Sequence, residues 1–233
     1  MGFHSSDALS LAFDLETVPI DGVDEFIEPV SAPGNYKKPE AIASYVHEKM
    51  IEKRSKAALD PALCRIVALG WQREDEKAPV VGVAPDEGAE DQLLQAFWEM
   101  AARAPNWVGF AIKQFDIPVL LFRSLWYGIH HPNVMDKLNK YRDMGAIDLM
   151  LRLSANGVSP YHSLQFYCRR LGLTTLTADE VTGAQIGELV ALGQWQAIEG
   201  HCRADVERTV ALAQRMQVWH GVSEPVARPA GES

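Results

Sequence analysis

Cysteine is scarce. The 233 residues hold three, Cys64, Cys168 and Cys202, far apart, odd in number and without a CxxC pair. That excludes a disulfide framework and fits a reducing, cytoplasmic setting. Long apolar runs are also missing. The longest candidate, Ile117 to Phe122, is short and carries Pro118, whereas a membrane helix needs about 20 apolar residues. Positive charge is in short supply, with 22 Lys and Arg against 31 Asp and Glu, a net charge of −9. A broad electrostatic surface for duplex nucleic acid is therefore excluded, while local contacts stay open. Met1 to Leu9 lacks the basic and apolar regions of a secretion signal. Its Met-Gly-Phe-His-Ser-Ser formally fits the myristoylation pattern, but no polybasic second signal follows, so the match reads as coincidence. No internal repeat or low-complexity tract occurs.

What is present is an ordinary globular composition, 47% apolar and 23% charged. The length suits one domain, expected over residues 1–222 with an insertion at about 19–63 and a flexible tail at 223–233. Leu9 to Glu16 alternates as a strand, with Leu11, Phe13 and Leu15 on one face and Asp14 and Glu16 on the other. Cys64 to Trp71 reads as a strand buried on both faces, and Ala78 to Val83 as its hairpin partner. A helix over Asp86 to Arg103, a strand over Trp107 to Ala111, a helix from about Ile117 to Tyr127 and a strand at Gly145 to Met150 follow. The remainder reads as helical at Ser163 to Leu171, Gly183 to Leu192 and Trp195 to Trp219. Strands first, then alternating helices and strands, predict a mixed sheet flanked by helices.

Inside the insertion, Pro39 to Ala58 predicts a helix with Lys49, Lys53, Arg54 and Lys56. It reads either as a solvated helix or as a basic arm over a substrate groove.

Chemistry begins at Asp14 and Glu16. Two residues apart on a strand, their backbones lie about 6.6 Å apart on one face. Two carboxylates at about 5 Å repel by roughly 3 kcal/mol at an effective dielectric near 20. A sheet centre accommodates them if a hard divalent cation joins them, Mg²⁺ or Mn²⁺. Asp116, before Ile-Pro at a helix start, reads either as an N-cap or as a third carboxylate facing the sheet. His201 and Asp205 share a face of the last helix, and Leu212 continues their line inward. His201 is either a structural hydrogen-bonder or a partner of a metal-binding Asp205.

Four stretches then carry a resemblance: Phe13 to Thr17 (FDLET), Gln114 to Leu120 (QFDIPVL), Ile147 to Met150 (IDLM) and His201 to Thr209 (HCRADVERT), with Tyr36-Lys-Lys-Pro-Glu inside the insertion. From about Leu9 to Met216 the chain resembles the DEDD 3′–5′ exonucleases of the ribonuclease-H-like fold. It is most similar to predicted 3′–5′ exonucleases related to the proofreading domain of family B DNA polymerases. The resemblance implies an α/β fold with a central mixed five-stranded sheet, order 3-2-1-4-5, and helices on both faces. It implies two divalent ions, Mg²⁺ or Mn²⁺, one held by Asp14, Glu16 and Asp205 and a second shared by Asp14 with water-mediated help from Asp116. Thr17 would meet the terminal 3′ nucleotide through its backbone, and Phe115 is a candidate stacking surface. The implied partner is the 3′ end of single-stranded nucleic acid, with DNA favoured and DNA repair a natural setting.

The chain departs from the family pattern at two positions. Ala111 stands where Asn is usual, and His201 occupies the spacing at which one branch has Tyr. Imidazole suits proton abstraction from an attacking water, so His201 reads as a general base. The alternative is a catalytically weakened relative that binds nucleic acid as a scaffold or partner. A glycoside hydrolase is disfavoured, because its two carboxyls must lie on opposite sides of the scissile bond.

Overall fold

The computed structural model describes residues 9–175, 177 and 179–219. The N-terminal myristoylation pattern and the 223–233 tail lie outside the described residues. Strand β1 (Ser10–Pro19) is flanked by β2 (Cys64–Arg73), which pairs with β3 (Val80–Val83), and by β4 (Asn106–Gly109), which pairs with β5 (Ala146–Asp148). The order is β3-β2-β1-β4-β5. The first three strands are antiparallel, and β1, β4 and β5 run parallel. This is the mixed sheet the strand pattern predicts.

The helices are α1 (Pro39–Ala57), α2 (Glu87–Arg103), α3 (Asp116–Tyr127), α4 (Leu149–Leu153), α5 (Leu164–Leu171), α6 (Ile186–Ala191) and α7 (Trp195–Arg215). Strand alternation sorts them into layers. Leu11, Phe13 and Leu15 enter one core with Leu94, Phe97, Ile117 and Leu120 of α2 and α3. Ala12 and Val18, on the opposite face, pack with residues of α5, α6 and α7. Asp14 and Glu16 therefore share the α7 side.

Two details bring α7 close to β1. The β1–β2 register slips between Glu16 and Thr17, so Val67 and Ala68 both turn toward α7. Opposite Asp14 stands Gly70, where a Cβ would lie 3.0 Å from Cys202 Sγ and from Val206 Cγ2. Only glycine allows this approach, and Cys202 Sγ reaches Asp14 O at 3.6 Å.

On the other face a buried ion pair fixes α2 and α3. Arg123 donates from Nε and Nη2 to the two Glu90 oxygens, each at 2.7 Å, and Glu90 also accepts from Ile66 N at 2.8 Å.

Several boundaries differ from the sequence expectation. β5 ends at Asp148, whose carboxylate accepts from Leu151 N at 3.1 Å and starts a helix at Leu149. The Gly183–Leu192 segment opens with a 3-10 turn, Gly183–Gln185, before α6. α7 stops at Arg215, because Gln217 takes a left-handed φ of 60° and Val218 N bonds back to Ala213 O at 2.9 Å.

α1 bears on the question of the arm. Of its residues only Ala57 is buried, as for a solvated helix. Its cations are largely engaged: Lys49 and Lys56 with Glu52, Arg54 with Asp24. From Pro19 to Leu63 there are eight acidic against six basic residues. Within α1 itself four basic residues stand against three acidic ones, and its exposure fits the solvated reading. No helix among the described residues is long and apolar enough to cross a membrane.

Candidate active site

Three elements deliver side chains to one end of β1. Asp14 and Glu16 come from the strand itself. Burial raises both carboxyls well above the usual range, and Asp205 is the next largest cause for each. Glu16 and Asp116 add to the effect on Asp14, with Arg208 opposing it. Asp116 and Asp179 add to the effect on Glu16.

Asp116 arrives by a turn that the sequence reading left without a cause. Asp148 accepts from Ala111 N at 3.2 Å and from Lys113 N at 3.1 Å. Ala111 is left-handed, with φ 64°. The buried Lys113 donates from Nζ to Asn139 O and Arg142 O, both at 2.9 Å. This pinned turn leads into α3. The N-cap is Phe115, not Asp116, and Asp116 is the first helical residue. The N-cap reading of Asp116 thus gives way to the inward carboxylate. Burial pushes its pKa up to about 8, against hydrogen bonds from its own N–H and that of Leu15.

α7 supplies the rest. His201 is buried, and its Nε2 lies 3.5 Å from Glu16 Oε1 and 3.9 Å from Asp205 Oδ2. Ligand atoms of Glu16, His201 and Asp205 all fall within 4.8 Å of one another, a cluster able to hold a cation. Behind it stands Asp179, which the sequence reading missed. Its carboxylate meets His201 Nδ1 at 3.0 Å and accepts from Arg208 Nη1 at 2.7 Å and Val181 N at 3.0 Å. Arg208 also donates to Asp205 Oδ1. Asp179 at Nδ1 orients the His201 ring so that Nε2 faces Glu16 and Asp205. Arg208 had a sequence signal, three residues past Asp205 on the same helix face. Asp179 had none, since it sits in irregular chain between α5 and α6.

The donor set fits hard divalent ions: carboxylates dominate, and a bound cation would offset both the burial and the mutual repulsion that raise Asp14 and Glu16. Asp116 and Asp205 lie close enough to act on both Asp14 and Glu16, and His201 Nε2 stands beside Glu16 and Asp205. A cleft of about 270 Å³ is lined by Asp14, Glu16, His201 and Asp205 together with Leu15, Ser163–Gln165 and Thr182–Gly183, while Asp116 is not on its wall. Thr17 is half-buried and donates its hydroxyl to Ala58 O at 2.6 Å, which fastens β1 to the end of α1. Phe115 is half-buried against the α2–α3 core.

Residues 58–227 match a family described as predicted 3′–5′ exonuclease related to the exonuclease domain of PolB. Asp116, His201 and Asp205 fall inside that match, and Asp14 and Glu16 precede it. No curated protein matches the chain. Among solved structures it is similar to the family B DNA polymerase from the hyperthermophilic archaeon Pyrobaculum calidifontis, with a TM-score of 0.57 and 17% identity. The alignment covers 90% of this chain and 24% of the polymerase, so the chain spans about a quarter of that protein's length. At this identity the likeness speaks for the fold, a ribonuclease-H-like mixed sheet with helices on both faces. The chain belongs to the family of predicted 3′–5′ exonucleases related to the exonuclease domain of PolB.

Proposed function

We propose that the chain is a metal-dependent 3′–5′ exonuclease that removes nucleotides from the 3′ end of single-stranded nucleic acid, with DNA the favoured substrate. The observation that carries the reading is the convergence of Glu16, His201 and Asp205 within 4.8 Å, with Asp205 and Asp116 both close enough to raise the carboxyls of Asp14 and Glu16. The proposal takes residues 1–222 as one exonuclease unit with 19–63 as an insertion.

Two divalent ions, Mg²⁺ or Mn²⁺, would supply stabilisation of the attacking and leaving oxygens of an in-line displacement at phosphorus. Asp14, Glu16, Asp116 and Asp205 would hold them. His201 Nε2 takes the proton of the attacking water, and Asp179 keeps the ring oriented through Nδ1. The water oxygen bonds to phosphorus, the bond to the 3′ oxygen breaks, and that oxygen leaves with a proton. The products are a nucleoside 5′-monophosphate and a strand one nucleotide shorter. The Thr17 backbone faces the terminal nucleotide, and Phe115 offers apolar surface nearby.

One contact favours the second reading, a binding relative with weakened chemistry. Arg208 occupies Asp205 Oδ1, an oxygen that a cation would otherwise use. A 5′-labelled single strand incubated with Mn²⁺ or Mg²⁺ decides between them. The exonuclease produces a ladder shortening from the 3′ end and free mononucleotides, and Asp14→Asn removes both. A parent protein that retains the strand intact with either ion overturns the proposal in favour of the binder.

A further inference from the structure

The cleft has a side wall that the chemistry above does not use. Ser163, Leu164 and Gln165 line it, and the residues on either side of them in the chain form an aromatic column. His162 stacks on Phe166 with centroids 4.1 Å apart and planes 19° apart. Tyr167 stands edge-on to both, and Phe110, at the end of β4, packs on Tyr167 at 6.2 Å. Phe110 and Tyr167 pack against the core between the sheet and α7, but the core does not account for the exposed pair His162 and Phe166. α5 buries only Leu164 and Cys168, while Phe166 remains 43% exposed and Tyr161 46%. His162 is itself exposed.

Charge supports the same occupant. Arg169 and Arg170 follow Phe166 at helical spacings of three and four, are exposed, and have no ion-pair partner among the described residues. The chain as a whole carries a net charge of −9. Its cleft is lined by carboxylates that repel phosphates. Such a protein cannot hold a strand by counterion release alone, and ring stacking supplies affinity without charge.

Resting on the exonuclease reading, we infer that the His162–Phe166 column is the platform on which a base behind the scissile 3′ nucleotide stacks, with Arg169 and Arg170 meeting the adjoining phosphates. The ligand class is an unpaired, stackable nucleobase strand. A duplex, whose bases are already stacked on one another, gains nothing from the platform.

The test is anisotropy of a 5′-fluorescein single strand of about eight nucleotides bound by the full chain in Ca²⁺. Replacing both rings (His162→Ala with Phe166→Ala) should weaken binding at least about fivefold. Phe166→Leu, which keeps apolar bulk without a ring, should lose affinity as well, and Phe166→Trp should retain it. With two phosphates contacted, log K against log salt should have a slope of about −1.4, falling toward zero in Arg169→Gln with Arg170→Gln. The platform is overturned if the folded ring variants bind as tightly as the parent, or lose blunt duplex by the same factor as single strand. Mononucleotide release by the parent reads the exonuclease proposal separately. Release with unchanged variant binding sinks the platform alone, and a parent that binds no strand sinks both.

Discussion

Asp179 holds His201 by Nδ1 at 3.0 Å, and this contact aims Nε2 at Glu16, 3.5 Å away. A carboxylate behind an imidazole sets its tautomer and orientation, and removing such a partner costs about 10–100-fold in metal affinity or activity. Asp179→Ala should reduce strand cleavage and Mn²⁺ affinity within that range. Asp179→Asn, which still offers an oxygen to Nδ1, should recover part of the loss. Calorimetric Mn²⁺ titration together with cleavage rates checks both.

Asp14 trades stability for chemistry. Its carboxyl is raised by burial and by Asp205, Glu16 and Asp116, so its ionised form is unfavourable without a cation. Asp14→Asn should raise the melting temperature of the metal-free protein while reducing cleavage on the order of 10²-fold or more. Melting curves in EDTA, run beside the labelled-strand assay, test the pair of effects. A variant no more stable than the parent would count against the crowding of charge described here.

The same carboxyls set a pH dependence. Asp116 moves from 3.8 to about 8 in the folded chain, and Asp14 and Glu16 are raised as well. The folded state therefore binds more protons than the unfolded chain between about pH 4 and 8. Stability from these groups is complete below the unfolded values and is lost as pH rises through the folded ones. Metal-free protein should melt at falling temperature from pH 5 to pH 8. Mg²⁺ or Mn²⁺ should restore more stability at pH 8 than at pH 5, because ions bind the deprotonated groups.

Ala111 bears backbone strain at a position where the resembling family has Asn. Its φ of 64° places it in the left-handed region, which costs a residue with a Cβ about 1 kcal/mol relative to glycine or asparagine. Ala111→Asn and Ala111→Gly should each stabilise the protein by up to about 1 kcal/mol in urea denaturation. Because Asp148 holds the Ala111 and Lys113 N–H groups, Asp148→Ala should act oppositely and also lower cleavage by displacing Asp116.

On the opposite face, Glu90→Ala leaves the Arg123 guanidinium buried without its carboxylate and frees Ile66 N–H. Loss of one member of a buried pair costs about 3–5 kcal/mol. Denaturation should show a loss of that order. A change below about 1 kcal/mol would mean that the apolar contacts and the Trp98–Ser124 hydrogen bond hold α2 on α3 without the ion pair.

The amino-acid pattern by itself determined the sheet and the faces on which its side chains lie. Alternation at Leu11, Phe13 and Leu15 against Asp14 and Glu16 assigns faces, because strand side chains alternate whatever packs on them. The spacing of His201 and Asp205 places both on one helix face for the same local reason. Tertiary structure alone decided the neighbours. Asp179 lies 22 residues from His201 in irregular chain, and no periodicity announces such a contact. Asp148 lies 35 residues from Lys113, yet it fixes the turn that brings Asp116 inward. The charge of α1 is legible residue by residue, and so are the pairs of Lys49 and Lys56 with Glu52 one turn away, but the pair of Arg54 with Asp24 depends on where the chain folds back. Short-range periodicity tells which way a side chain points, whereas only the packed chain tells what it meets.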